Sequence, residues 1–183
     1  MHLKGALHVH TTCSDGELSV QETIKAYGDL GYDFVALTDH DYLLRPGCYD
    51  VIEKLDTEII VFRGVELTVF EKGYCHVNRI KGEKETLHIF NHPAQLDLPF
   101  EKVIERIESV AKKLPLDAVE VTSNGFRTPE YDCQEISYPG VATDDAHHRH
   151  MVGRAWIEMD CPRNMDSIIK AIKRGDFWNC YNN

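Results

Sequence analysis

"LKGALHVHTTCSDGELSVQETIKAYGDLGYDFVALTD", Leu3 to Asp39, decides the fold. It opens on a strand pattern, Leu3 to Val9. A helix follows in "SVQETIKAYGDLG", Ser19 to Gly31, where Ser19 and Glu22 have capping-box spacing. Val20, Ile24, Tyr27 and Leu30 form an apolar stripe at helical period, and Gly31 supplies the stop. "YDFVALTD", Tyr32 to Asp39, is nearly all apolar, as expected of a strand covered on both faces. Strand, helix and apolar strand make a βαβ unit with a parallel pair.

The pattern continues outward. "PGCYDVIEKL" holds a short helix after Pro46, "EIIVFRGVEL" a strand, and "YCHVNRI" and "LHIFN" two more. Only "KGEKET" separates the last two, so a tight turn joins them, not a helical crossover. "PFEKVIERIESVAKKL" is the clearest helix, striped by Phe100, Val103, Ile104, Ile107, Val110, Ala111 and Leu114. "DAVEV" and "GVAT" read as strands, with a short helix after Pro129 between them. "AWIEM" reads as the last strand and "NMDSIIKAIKRG" as the last helix, capped by Asn164 and stopped by Gly175. This alternation predicts one α/β domain over residues 1–183, built as a sheet or barrel. A full eight-fold barrel takes about 250 residues, so a small or distorted barrel fits this length better.

The 183 residues are 43% hydrophobic and 27% charged, which suits one sizeable core. No apolar run reaches the ~18 residues of a membrane span, and the start lacks a signal-peptide core, so a cytoplasmic protein is expected. A net charge of -10 argues against non-specific nucleic-acid binding. It leaves anionic substrates open, because bound cations reverse the local sign. Six widely spaced cysteines without a CxxC read as scattered thiols rather than disulfides.

The ten histidines are more informative. His8 and His10 share one face of a strand, with Cα atoms about 6.5–7 Å apart. Asp39 and His40 end the second strand, Glu66 the third and His92 the fifth. His76 lies on the fourth, and Asp145 and His147 follow the seventh. Carboxyl ends of parallel strands lie together, so these distant residues are expected to meet in one cleft. Imidazole and carboxylate suit zinc, manganese or iron. His2, His88, His148 and His150 are expected to have no metal role.

The segments "LHVHTTCSDGELS", "YDFVALTDHD", "GVEL", "HVNRIKG", "NHPA" and "ATDDAHH", in this order, resemble the PHP family, named for polymerase and histidinol phosphatase domains. So does the closing "IIKAIKRGDFW". The resemblance implies a distorted (β/α)7 barrel, two or three divalent metal ions, and hydrolysis of phosphate esters through a metal-activated hydroxide. Carried onto matching positions, it implies that His8 and His10 hold one metal with Glu66 and Asp145. Glu66 would bridge to a second, held by His76 and His92. Asp15, His40 and His147 would hold a third. Glu66, Asp145 and His147 then carry the catalytic assignments, and Asp39 orients a ligand or caps a turn. The expected substrate is a small phosphorylated metabolite or nucleotide, chosen by Ser123–Gly140, the loop after His40 or another subunit. The rival readings are a nuclease, a non-catalytic metal-binding domain and a deaminase-like amidohydrolase. Arg45, Arg127 and Arg149 are expected to serve solubility more than substrate.

Overall fold

One extra residue in the first strand determines which side chains face the interior. In this computed structural model, which describes residues 1–182, β1 (His2–Val9) runs parallel to β2 (Phe34–Leu37). Ala6 pairs with Val35, but Val9 pairs with Leu37, so β1 spends three steps where β2 spends two. This bulge flips the alternation. Ala6 and Val9 both pack outward under helix α1 (Val20–Asp29), while Leu3 and Leu7 face inward. Beyond the bulge His8 and His10 are fully buried on the inner side.

The remaining elements follow in order: a 3-10 helix over Cys48–Lys54, β3 (Ile60–Phe70), β4 (Tyr74–Lys81), β5 (Thr86–Phe90) and α2 (Phe100–Ala111). Next come β6 (Ala118–Glu120), a small hairpin of β7 (Thr122–Ser123) and β8 (Phe126–Arg127), and β9 (Gly140–Val141). The chain then forms β10 (Ala155–Asp160), α3 (Met165–Arg174) and β11 (Trp178–Tyr181). The main sheet has nine strands in the order β11-β10-β1-β2-β3-β4-β5-β6-β9. Strands β1, β2 and β3 are parallel neighbours, as are β5, β6 and β9. Strand β4 runs antiparallel to both flanking strands, because tight turns rather than helices connect it.

The sheet is nearly closed. Its two edge strands, β11 and β9, are clipped by one side chain: Asn179 accepts from the Ala142 amide and donates to the Gly140 carbonyl, both at 2.8 Å. The α/β class and barrel shape match the expectation. The repeat is irregular, since three α-helices serve nine strands and short 3-10 turns replace the others.

Three apolar layers hold this frame. Phe34, Phe62, Leu87 and Ile157 fill the lower barrel interior against Ile168, Ile169 and Ile172 of α3. Helix α1 packs Val20, Ile24 and Tyr27 on the outer wall of β1 and β2. Helix α2 packs Val103, Ile107 and Val110 outside β4, β5 and β6. Burying each such side chain contributes about 1.5–3 kcal/mol. The Ser19–Glu22 capping box forms, and Gly31 and Gly175 take left-handed conformations past their helices, as expected.

Two expectations are corrected. Strand β10 is not the last, since Trp178–Tyr181 adds β11 beside it. Nor are all six cysteines thiols. Cys13 and Cys48 form a disulfide, because the segment after His40 folds back onto the turn after β1; Cys75, Cys133, Cys161 and Cys180 are free.

Candidate metal centre

The upper end of the barrel interior is lined by polar side chains from six strands and the segments after them. Strand β4 contributes from its first half, because it runs opposite to its neighbours and so presents His76 at the same end. Glu66 is 1% exposed and lies within 3.4 Å of five imidazoles. Its Oε1 faces His76 Nδ1 and His92 Nε2 at 3.1 Å each and His8 Nε2 at 3.4 Å. Its Oε2 faces His40 Nδ1 at 2.8 Å and His10 Nε2 at 3.3 Å. Asp145 Oδ1 lies 3.3 Å from His8 Nε2, 3.4 Å from His10 Nε2 and 3.5 Å from His147 Nδ1. The His8 and His10 Nε2 atoms point at each other across 3.0 Å.

Asp15, His40 and His147 gather with His10 at the mouth. Asp15 lies 3.5 Å from His10 Nδ1 and from His40 Nε2, and 3.6 Å from His147 Nε2. His10 and His40 therefore present one ring nitrogen to the Glu66 side and the other to Asp15. All nine residues singled out in the sequence are thus brought together. Four donor sets converge with ligating atoms within 4.8 Å of one another: His10, Asp15, His40 and His147; His8, His10 and Glu66; His8, His92 and Asp145; and His40, Glu66 and His76. These sets cut across the partition the family resemblance implies. His92 groups with His8 and Asp145, and His40 with Glu66 and His76.

The donors do not satisfy one another. His10 Nδ1, His40 Nδ1 and Asp145 Oδ1 are buried without a hydrogen-bond partner, although an oxygen lies 2.8 Å from His40 Nδ1. Buried polar atoms are normally paired, so lone pairs that meet without bonding fit a shared cation. Without a cation, protons take that role. Burial opposes charge on His8, but Asp145, Glu120 and Glu66 outweigh it and hold its pKa well above the usual value. Burial likewise opposes charge on His10, yet the facing carboxylates of Asp145, Asp15 and Glu66 push it up to about 10. Burial would raise Glu66 and Asp145, but the surrounding imidazoles pull both well below the carboxylate range. His147 is held low by burial and by the His10 charge.

The backbone is also bent to the site. His92 and Asp145 have positive φ, 28° and 46°. For residues other than glycine this costs on the order of 1–3 kcal/mol each, and such conformations concentrate at functional sites.

Supporting groups complete the arrangement. Glu120, fully buried, accepts from His8 Nδ1 at 2.6 Å, Thr143 Oγ1 at 2.7 Å and the His92 amide at 2.7 Å. Its contact fixes the His8 tautomer and frees Nε2 for the centre. Asn91 donates to Glu66 Oε1 at 2.8 Å. The sequence reading missed Glu120, although it too ends a strand, in "DAVEV". Asp39 caps the turn rather than orienting an imidazole. It accepts from Thr11 and Ser14, through both amide and hydroxyl, and from the Tyr49 hydroxyl. His2 pairs with Glu158 and Asp160 on the surface, His148 and His150 stack outside, and His88 lies on the outer wall of β5. Arg45 donates to the Thr12 carbonyl, and Arg127 pairs with Asp132.

An α/β barrel with a buried imidazole–carboxylate centre at one end defines a metal-binding scaffold. The chain belongs to the PHP domain family, which matches residues 6–129; the PHP-associated family matches 132–177. It is similar to a Bacteroides vulgatus two-domain protein containing a predicted PHP-like metal-dependent phosphoesterase. The TM-score is 0.75 at 19% identity, covering 100% of this chain and 65% of that one. An amidohydrolase from Chromobacterium violaceum aligns at TM-score 0.68 and 13% identity, covering 95% of this chain and 97% of that one. At these identities the likeness is one of fold. The DNA polymerase/3'-5' exonuclease PolX of Bacillus subtilis is 23% identical over 130 residues, which is 64% of this chain but only 23% of that protein. Among the described residues no helix is long and apolar enough to cross a membrane.

Proposed function

We propose that this chain is a metal-dependent phosphoesterase that hydrolyses a small phosphorylated metabolite or nucleotide. One observation carries the reading: a single buried carboxylate, Glu66, faces five imidazoles whose remaining nitrogens and neighbours leave orphaned lone pairs. Divalent manganese, zinc or iron, two or three ions in all, would supply neutralisation of phosphate charge and a water acidified enough to attack near neutral pH. Glu66 spans the donor sets and sets their spacing. His8, His76, His92 and Asp145 hold the inner positions, with Glu120 fixing the His8 ring. Asp15, His40 and His147 hold the mouth, where the exposed Asp15 and half-buried His147 admit the substrate phosphate. The location is expected to be cytoplasmic.

The test is phosphate release from a panel of phosphate esters with added manganese, zinc or iron, before and after chelation. His10→Ala is expected to abolish turnover while leaving the circular dichroism spectrum unchanged. Equal turnover in this variant and the wild type would remove the proposal.

A second reading, a metal-dependent nuclease, is favoured by the similarity to the PolX protein. The net charge of -10 weighs against it, since a strand-binding groove selects cations. Digestion of a fluorescent oligonucleotide separates the two.

A further inference from the structure

The outer face of β3 and β4 carries an arrangement that the metal centre does not use. Outward-facing residues of these antiparallel strands place like charges opposite each other. Arg63 pairs in register with Lys81, and Arg79 lies two residues before Lys81 on the same face of β4. Like charges directly across a strand pair are destabilising. This occurs in a chain with 30 acidic residues against 20 basic ones, where acidic partners are abundant. Yet among the described residues only Glu53 pairs with these cations, meeting Arg63 at 2.9 Å from an exposed rim. Among the described residues, neither Arg79 nor Lys81 makes an ion pair, and the buried Arg79 Nε has no hydrogen-bond partner.

These cations line a shallow depression. Leu44 and Tyr49, from the segment after His40, line an open cavity of about 320 Å³ together with Arg63, Arg79 and Lys81. That volume is at the small end of ligand pockets. Helix α2 covers β4 farther along, at Cys75 and Val77, and leaves the Arg79 and Lys81 stretch clear.

We propose that Arg63, Arg79 and Lys81 form a second, non-catalytic site for a small phosphate-type oxyanion on the outer wall of the barrel. An anion seated there relieves the Arg63–Lys81 repulsion and gives the Arg79 guanidinium its missing acceptor. Guanidinium favours phosphate because its planar donors match two oxygens at once. The cavity also shares Tyr49 with the metal end, since the Tyr49 hydroxyl donates to Asp39 Oδ2 at 2.6 Å. The proposal is independent of whether the metal centre hydrolyses anything.

Calorimetric titration of the metal-loaded protein with inorganic phosphate tests it. Two binding events are expected, one at the metal centre and one at the basic row. In Arg79→Gln/Lys81→Gln the second weakens at least tenfold, while metal content and basal phosphate release stay at wild-type values. In His10→Ala the second event persists unchanged. If the Arg79 substitution unfolds the sheet, the half-exposed Arg63→Gln and exposed Lys81→Gln carry the same expectation. Unchanged phosphate stoichiometry and affinity in the folded basic-row variants overturns the proposal. So does a row that takes single-stranded oligonucleotide but not phosphate.

Discussion

In the lower half of the barrel interior, Phe34, Phe62, Leu87 and Ile157 meet the isoleucines of α3. In the upper half, His8, His10, Glu66 and Asp145 meet one another. Both halves are almost free of solvent, with Phe62 at 0% and Glu66 at 1% exposure. The lower half is complete by itself, because apolar surfaces need only shape to fit. The upper half is complete only with added positive charge, whether protons or metal ions. Folding energy is therefore concentrated below, and ligand-dependent energy above.

Removing a ring from the lower half breaks this contrast most strongly. Phe62→Ala is expected to cost about 3–5 kcal/mol, read by denaturant unfolding, while the folded fraction keeps its metal content. Loss of metal at unchanged stability would invert the assignment of the two halves. Above, Glu66→Gln is expected to lower phosphate release by about 10²–10³-fold, with the far-ultraviolet spectrum intact. Glu120→Gln acts one contact further out. It is expected to weaken metal affinity by about 10–100-fold in competition with a chelator, because His8 loses the partner that fixes its tautomer.

A graded effect comes from pH. The metal-free His10 has its pKa raised to about 10, so its stabilising charge is fully present below the unfolded value of about 6.5. That contribution is lost as pH rises through about 10. Melting temperature in chelator should fall across this window. Saturating metal should reverse the trend, since a cation replaces the departing proton and binds more tightly as pH rises. A flat metal-free profile would show that the centre does not hold its charge this way. The smallest effect expected is from Tyr27→Phe. It removes the 2.7 Å hydrogen bond to the buried Asp144 and should cost about 1 kcal/mol by thermal melting.

Much of this was legible in the sequence, for physical reasons. The stripe of α1 and the apolar run of β2 follow from periods that burial imposes. The candidate cluster was legible because most of its members follow strand ends that gather in space, and all nine candidates lie together, although Glu66 sits inside β3, which continues to Phe70. The β1 bulge was not legible, because nothing in "GALHVH" marks where an extra residue enters the pairing. Without it, Leu7 and His8 would face opposite sides. The disulfide depends on how the segment after His40 folds back, which local spacing does not encode. Strand β11 is four residues long and follows a helix stop, so it offered no alternation to read. Glu120 shows the opposite case: the strand-end rule applied to it, but an acid on an apolar strand of three residues drew no notice.

The Asn179 clip has a consequence for how the molecule opens. Between β11 and β9 the barrel is joined through this amide side chain, while just beyond it Ala146 bridges to Val9 of β1 and accepts from the His10 amide at 3.1 Å. The join runs beside Ala142, three residues before Asp145 in the chain. Parting there would open the wall below the Val9–Ala146 bridge and leave the candidate metal centre closed above it. Deuterium uptake at the Ala142 amide would time that breathing, and Asn179→Ala would quicken it.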